Sequence, residues 1–186
     1  MNRYDELTGI QMDLLENGVI DLVGDVDFRM FRYVREALMR SLAKSIYPPL
    51  KIIITSEGGS VEAGLSIYDA LKSYPAPTIG IINSCANSMA SIILQACDIR
   101  RCLEHAKILI HNPHIIKLKW GEKENSRKLK ERFDRLDNDR ERMLRIWSEC
   151  SGQSRKKIAT ICAKDKSLTA EEALKLNLID EITNEL

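Results

Sequence analysis

Between residues 19 and 110 the chain alternates short β-branched runs with stretches of helical spacing, and this alternation constrains the fold most. Residues 19–23 alternate apolar and polar side chains and stop at Gly24, the pattern of a strand. Phe31, Val34, Leu38 and Leu42 recur at helical intervals within residues 28–45, and Pro48-Pro49 closes that helix. The run 50–54 reads as a buried strand, broken by Gly58-Gly59. Ala63, Leu65, Ile67, Ala70 and Leu71 predict a helix over 61–73, ended by Pro75 and Pro77. A strand over 78–82, a small-residue helix over 88–97 and a strand over 107–110 follow. Crossovers of this length join parallel strands covered by helices, so the class is α/β.

Beyond residue 113 the pattern changes. A long helix is expected from about residue 122 to residue 150, with apolar positions Leu129, Phe133, Leu136, Met143 and Trp147. Residues 117–145 hold eleven Lys/Arg against seven Asp/Glu, so a narrow apolar seam runs along a highly charged helix. Such a seam wants another element or another subunit. Gly152 ends the helix, short helices are expected over 154–163 and 169–176, and Thr169-Ala170-Glu171-Glu172 has the form of a capping box. The polar first residues, up to the turn signal Asn17-Gly18, read as a short arm (1–17), leaving 18–186 as a single domain.

Composition excludes several classes. The formal charge is +1, which removes the global electrostatic case for nucleic acid or an anionic membrane. Apolar runs such as 52–54 and 92–94 fall far short of the ~20 residues a membrane span needs. The N-terminus has neither a secretion nor a transit pattern. Five cysteines, with no Cys-x-x-Cys pair, fit reduced thiols in a cytoplasmic setting better than disulfides or a zinc site.

Four local features could carry chemistry. Ser56-Glu57-Gly58-Gly59-Ser60, between a strand and a helix, can aim backbone N–H groups at an anion, or be an ordinary turn; no Gly-Lys pair makes it a nucleotide-phosphate loop. Ser88, in Ala86-Asn87-Ser88-Met89-Ala90, stands at a helix start as a relaxed nucleophile elbow, or as a simple cap. His111 ends a strand at the rim where α/β proteins place their sites, or is merely hydrogen-bonded there. His114 follows three residues on, but Pro113 prevents both histidines from facing one metal along a regular helix, so no metal site is expected. Asp165, between two lysines, has the plain reading of a solvated loop charge.

Taken in order, these strings resemble the proteolytic subunit of the Clp protease family. The family's S-P-G-G-S-V and A-G-[LM]-x-I-Y-D are matched by Ser56-Glu57-Gly58-Gly59-Ser60-Val61 and Ala63-Gly64-Leu65-Ser66-Ile67-Tyr68-Asp69. Its A-A-S-M-[AG] and M-I-H-[QN]-P are matched by Ala86-Asn87-Ser88-Met89-Ala90 and Leu109-Ile110-His111-Asn112-Pro113. Its tail corresponds to Ser151-Gly152-Gln153, Thr169-Ala170-Glu171-Glu172-Ala173 and Asn177-Leu178-Ile179-Asp180, so the likeness spans roughly residues 14–183.

The resemblance implies a spiral of βαβ units, shared with the crotonases, with a protruding long handle helix in the region of about 114–150. It implies a serine endopeptidase with Ser88 as nucleophile, His111 as general base, Asp165 as third member, and the N–H groups of Gly59 and Met89 as oxyanion hole, without metal or cofactor. It further implies polypeptide substrates, heptameric rings enclosing a chamber, and a hexameric AAA+ unfoldase as partner. The chain departs from the family at four places. Glu57 replaces a proline, and Asn87 replaces an alanine and brings tolerance of unusual backbone angles. The segment after Pro113 lacks the usual glycine-rich run, and Lys51 and Ile53 stand where ATPase-docking aromatics are expected. The rival readings are a virus-encoded capsid-maturation peptidase of the same fold, a coenzyme-A-processing enzyme of crotonase type, and a catalytically silent ring partner.

Overall fold

Five parallel strands in the order β1 (Val19–Val23), β2 (Leu50–Ser56), β3 (Thr78–Asn87), β4 (Ile99–Leu103) and β7 (Glu181–Thr183) form the spine of the molecule. β5 (Lys107–Leu109) also joins β3, and the two-residue β6 (Leu168–Thr169) runs antiparallel to β5. The computed structural model describes residues 9–44, 46–114 and 126–186. Helices α1 (Gly9–Glu16), α2 (Phe28–Leu42), α3 (Val61–Lys72) and α4 (Met89–Gln95) alternate with the first strands. α5 (Ser126–Ser151), α6 (Arg155–Cys162) and α7 (Ala170–Lys175) make up the second half. The class is thus α/β, with a sheet of mostly parallel strands, as expected.

Local chemistry sets the element ends. Asp27 caps α2 by accepting from the Arg29 and Met30 N–H groups, and Ser60 and Ser154 cap α3 and α6 in the same way. The capping box of Thr169 and Glu172 forms in both directions, at 3.2 and 2.9 Å. The residues at the core of β2, Leu50, Ile52 and Ile54, are fully buried, as are Ile20 and Leu22 of β1. Fully burying such side chains is worth about 1.5–3 kcal/mol each. All five cysteines are free thiols.

Three elements differ from expectation. The third strand extends to Asn87 rather than ending at residue 82. The polar residues Asn83 and Ser84 interrupt its apolar run, yet beyond them Cys85–Asn87 pairs with β5 while Ile79–Ile82 pairs with β4. Tertiary pairing here overrides local propensity. β4 itself was hidden by its two arginines, which the structure neutralises: Arg100 pairs with Asp180 and Arg101 with Glu181. α1 forms within the stretch read as an arm, burying Gln11 and Leu15.

The long helix α5 is present over 126–151, spanning about 39 Å at 1.5 Å per residue. Residues 122–125 of the expected helix, and the departing segment from residue 115 onward, lie outside the described residues. Met143, Leu144, Ile146 and Trp147 bury the end of the seam against the body, whereas Phe133 is 51% exposed. Among the described residues no helix is long and apolar enough to cross a membrane.

Candidate active site

The division of β3 between two partners creates the site. Because β5 takes up the end of β3 in parallel register, with Asn87 opposite Leu109, the residues just past both strands emerge side by side. Ser88 follows one strand and His111 the other, and the Ser88 N–H donates to the Leu109 carbonyl at 2.8 Å. The antiparallel pairing of Ile108 with Leu168 then brings the residues preceding Leu168 to this same end. Asp165 therefore arrives beside His111, with Oδ1 3.6 Å from the imidazole Nδ1. Strand register thus brings three residues far apart in sequence to the same end of the sheet.

Ser88 has φ 53° and ψ −120°, a backbone state that costs a non-glycine residue about 1–3 kcal/mol. It occupies the N-cap position of α4, yet its side chain makes no capping hydrogen bond. The plain cap reading thus fails, and the strained strand-to-helix turn matches the nucleophile elbow. The left-handed backbone falls on Ser88 and not on Asn87, the residue type that tolerates it more readily. Asn87 instead completes the strand. Ser88 is held from below: its carbonyl accepts from the Ser91 hydroxyl at 2.6 Å, and that hydroxyl accepts from the Trp147 indole N–H at 3.1 Å.

The glycine loop lies against this turn. Gly58, at φ +94°, passes so close that an added Cβ would come 2.6 Å from the Asn87 carbonyl oxygen and 2.7 Å from the Ser88 Cβ. Val26 bonds to the groups on either side of Gly59, donating to the Gly58 carbonyl and accepting from the Ser60 N–H. In a bridge of this kind the middle residue's own N–H turns the opposite way. Met89 is the first residue of α4, so its N–H has no carbonyl one turn back to bond. Ser88, His111, Gly58 and Gly59 all line one cleft of about 730 Å³.

Two departures from the family pattern turn out to be a pair. The Asn87 amide donates to Glu57 Oε2 at 2.6 Å, and the Cys85 thiol donates to the other carboxylate oxygen at 3.4 Å. Burial, together with the Glu57 carboxylate, pushes the Cys85 thiol up, so it stays protonated and does not compete as a nucleophile. Nothing in the sequence links residues 57 and 87; only the register of Ser56 against Ala86 does.

His114 is the residue that sequence reasoning set aside. Its Nε2 lies 2.9 Å from His111 Nδ1, because residues 111–114 are not helical and Pro113 does not separate the rings. The objection from a regular helix therefore does not apply. Burial first, and His114 second, depress the His111 imidazole below its ordinary value, against the opposing pull of Asp165. The ring is thus neutral near pH 7, the state a general base requires.

The site thus combines an α/β sheet, a strained serine at the head of a helix, a histidine past the neighbouring strand end and a glycine loop alongside. A family model for Clp protease matches residues 2–185 of the 186-residue chain. The chain belongs to the Clp protease family, a family of serine-type peptidases.

Proposed function

We propose that this chain is the proteolytic subunit of a Clp-type compartmentalised protease, cleaving polypeptides through an acyl-enzyme. The observation that carries the reading is the strained, non-capping Ser88 beside His111 on one cleft. Ser88 Oγ attacks the scissile carbonyl while His111 takes its proton through Nε2. The charge that develops on the carbonyl oxygen is met by the Gly59 and Met89 N–H groups, donors whose loss typically costs ~10²–10³ in rate. His111 returns the proton to the departing amine, and water, activated by the same imidazole, releases the acyl group. Nδ1 is hydrogen-bonded to His114 Nε2 at 2.9 Å, and the Asp165 carboxylate, 3.6 Å away, stabilises the positive charge the imidazole takes up. No metal or cofactor takes part in these steps.

By the same reading the region of about 114–150, which includes α5, is the handle through which subunits assemble into seven-membered rings around a chamber, and an AAA+ unfoldase feeds that chamber. The exposed Phe133 supports the handle role. Residues 1–17 are the arm of a single peptidase domain (18–186) working in the cytoplasm.

A fluorophosphonate probe with the labelled residue mapped tests the chemistry. Labelling at Ser88, abolished in Ser88→Ala together with peptide cleavage while assembly persists, is the expected result. Most of the activity surviving in Ser88→Ala would refute the assignment.

A further inference from the structure

We propose that His111, His114 and Asp165 form a binding site for one divalent transition-metal cation of the zinc type, and that its occupancy silences Ser88. The inhibitory half rests on the peptidase reading above; the binding half does not. One donor atom from each of the three residues lies within 4.8 Å of the other two. Zinc–nitrogen and zinc–oxygen bonds are about 2.0–2.2 Å, so tetrahedral ligand atoms stand about 3.3 Å apart. The separations of 2.9 Å between His111 Nδ1 and His114 Nε2, and 3.6 Å between His111 Nδ1 and Asp165 Oδ1, straddle that value. Two imidazoles and a carboxylate are a borderline-soft donor set, matched to zinc and its neighbours rather than to magnesium or calcium. The cleft that His111 and His114 line carries four carboxylates, Asp25, Glu57, Glu62 and Asp139, and two guanidiniums, Arg132 and Arg135, an excess of negative charge. Of the lysines flanking Asp165, Lys166 is engaged by Glu172 at 3.3 Å.

The consequence for catalysis follows from which nitrogen is used. A neutral imidazole that gives its Nδ1 lone pair to a metal carries its single proton on Nε2. That nitrogen then has no lone pair to accept the Ser88 proton, so the base is disabled without any covalent change. Both histidines stay neutral, and the step needs no other reactant. Removing the cation returns the proton to Nδ1.

Calorimetric titration of the chelator-stripped full chain with zinc chloride should show one cation bound per chain. The affinity should fall at least ~10-fold in His114→Gln and in Asp165→Asn, with circular dichroism confirming that both variants fold. Fluorophosphonate labelling of Ser88 should be suppressed by zinc and restored by chelator, and His114→Gln should lose this zinc response. Absence of zinc binding, or undiminished affinity in both variants, overturns the site, because the cation would then sit elsewhere, for example on a thiol. Binding at the site with unchanged labelling overturns the inhibitory half. A chain that is not labelled even in chelator speaks against the peptidase reading, and calorimetry alone then decides the metal site.

Discussion

Gly58 is the residue on which the approach of the glycine loop to Ser88 depends. Its positive φ and its distance from the Asn87 carbonyl leave no room for a side chain. Gly58→Ala should cost about 1–3 kcal/mol in urea unfolding and slow probe labelling of Ser88 together. An unchanged labelling rate would show that the loop does not serve the serine. The Glu57–Asn87 hydrogen bond replaces, by a side-chain clasp, the stiffness a proline would give the same loop. In a double-mutant cycle of Glu57→Ala and Asn87→Ala, a coupling energy of about 1–2 kcal/mol is expected. Here sequence reading reached the residues that meet at the turn but not the partnership. Ser88, Gly58 and Gly59 announce themselves by residue type and by position between a strand and a helix. The clasp does not, because Glu57 and Asn87 stand thirty positions apart and meet only once the chain between them has folded.

At the scale of elements, β4 and β7 are joined by Arg100 and Asp180. The carboxylate accepts from the Arg100 backbone N–H at 2.8 Å and from its Nε at 2.9 Å. Burial alone would raise the Asp180 carboxyl, but the Arg100 hydrogen bonds and charge outweigh it and hold the group below 3.8. A carboxyl depressed in the folded state contributes stability above its unfolded value and loses it as pH falls through the folded one. Asp180→Asn should therefore cost about 1–2 kcal/mol near neutrality and much less near pH ~3, read from urea midpoints at the two pH values. The helix pattern of α5 was legible from its periodicity alone, since Met143 and Trp147 recur on one face. What its exposed end meets was not, because periodicity marks an apolar face without naming what packs on it. Phe133→Asp should lower the assembled mass in light scattering; an unaltered mass would show that this face makes no subunit contact.

For the molecule as a whole, the parallel alternation of strands and helices was written plainly in hydrophobic spacing, whereas the site depends on two facts of long range. β3 changes partner midway, and β6 runs against β5. The first places His111 beside Ser88, and the second delivers Asp165, a residue whose local setting between two lysines says nothing of a role. A two-residue strand, too short for any periodicity to register, thus does the work of bringing in the third side chain.

The hydrogen-bonded path from the Trp147 indole through Ser91 to the Ser88 carbonyl ends at the residue proposed to be acylated. It makes the fully buried indole a built-in optical reporter. In a Trp120→Phe background, where residue 147 is the sole indole, intrinsic fluorescence should shift as the probe loads onto the serine, giving a label-free measure of how many sites are filled.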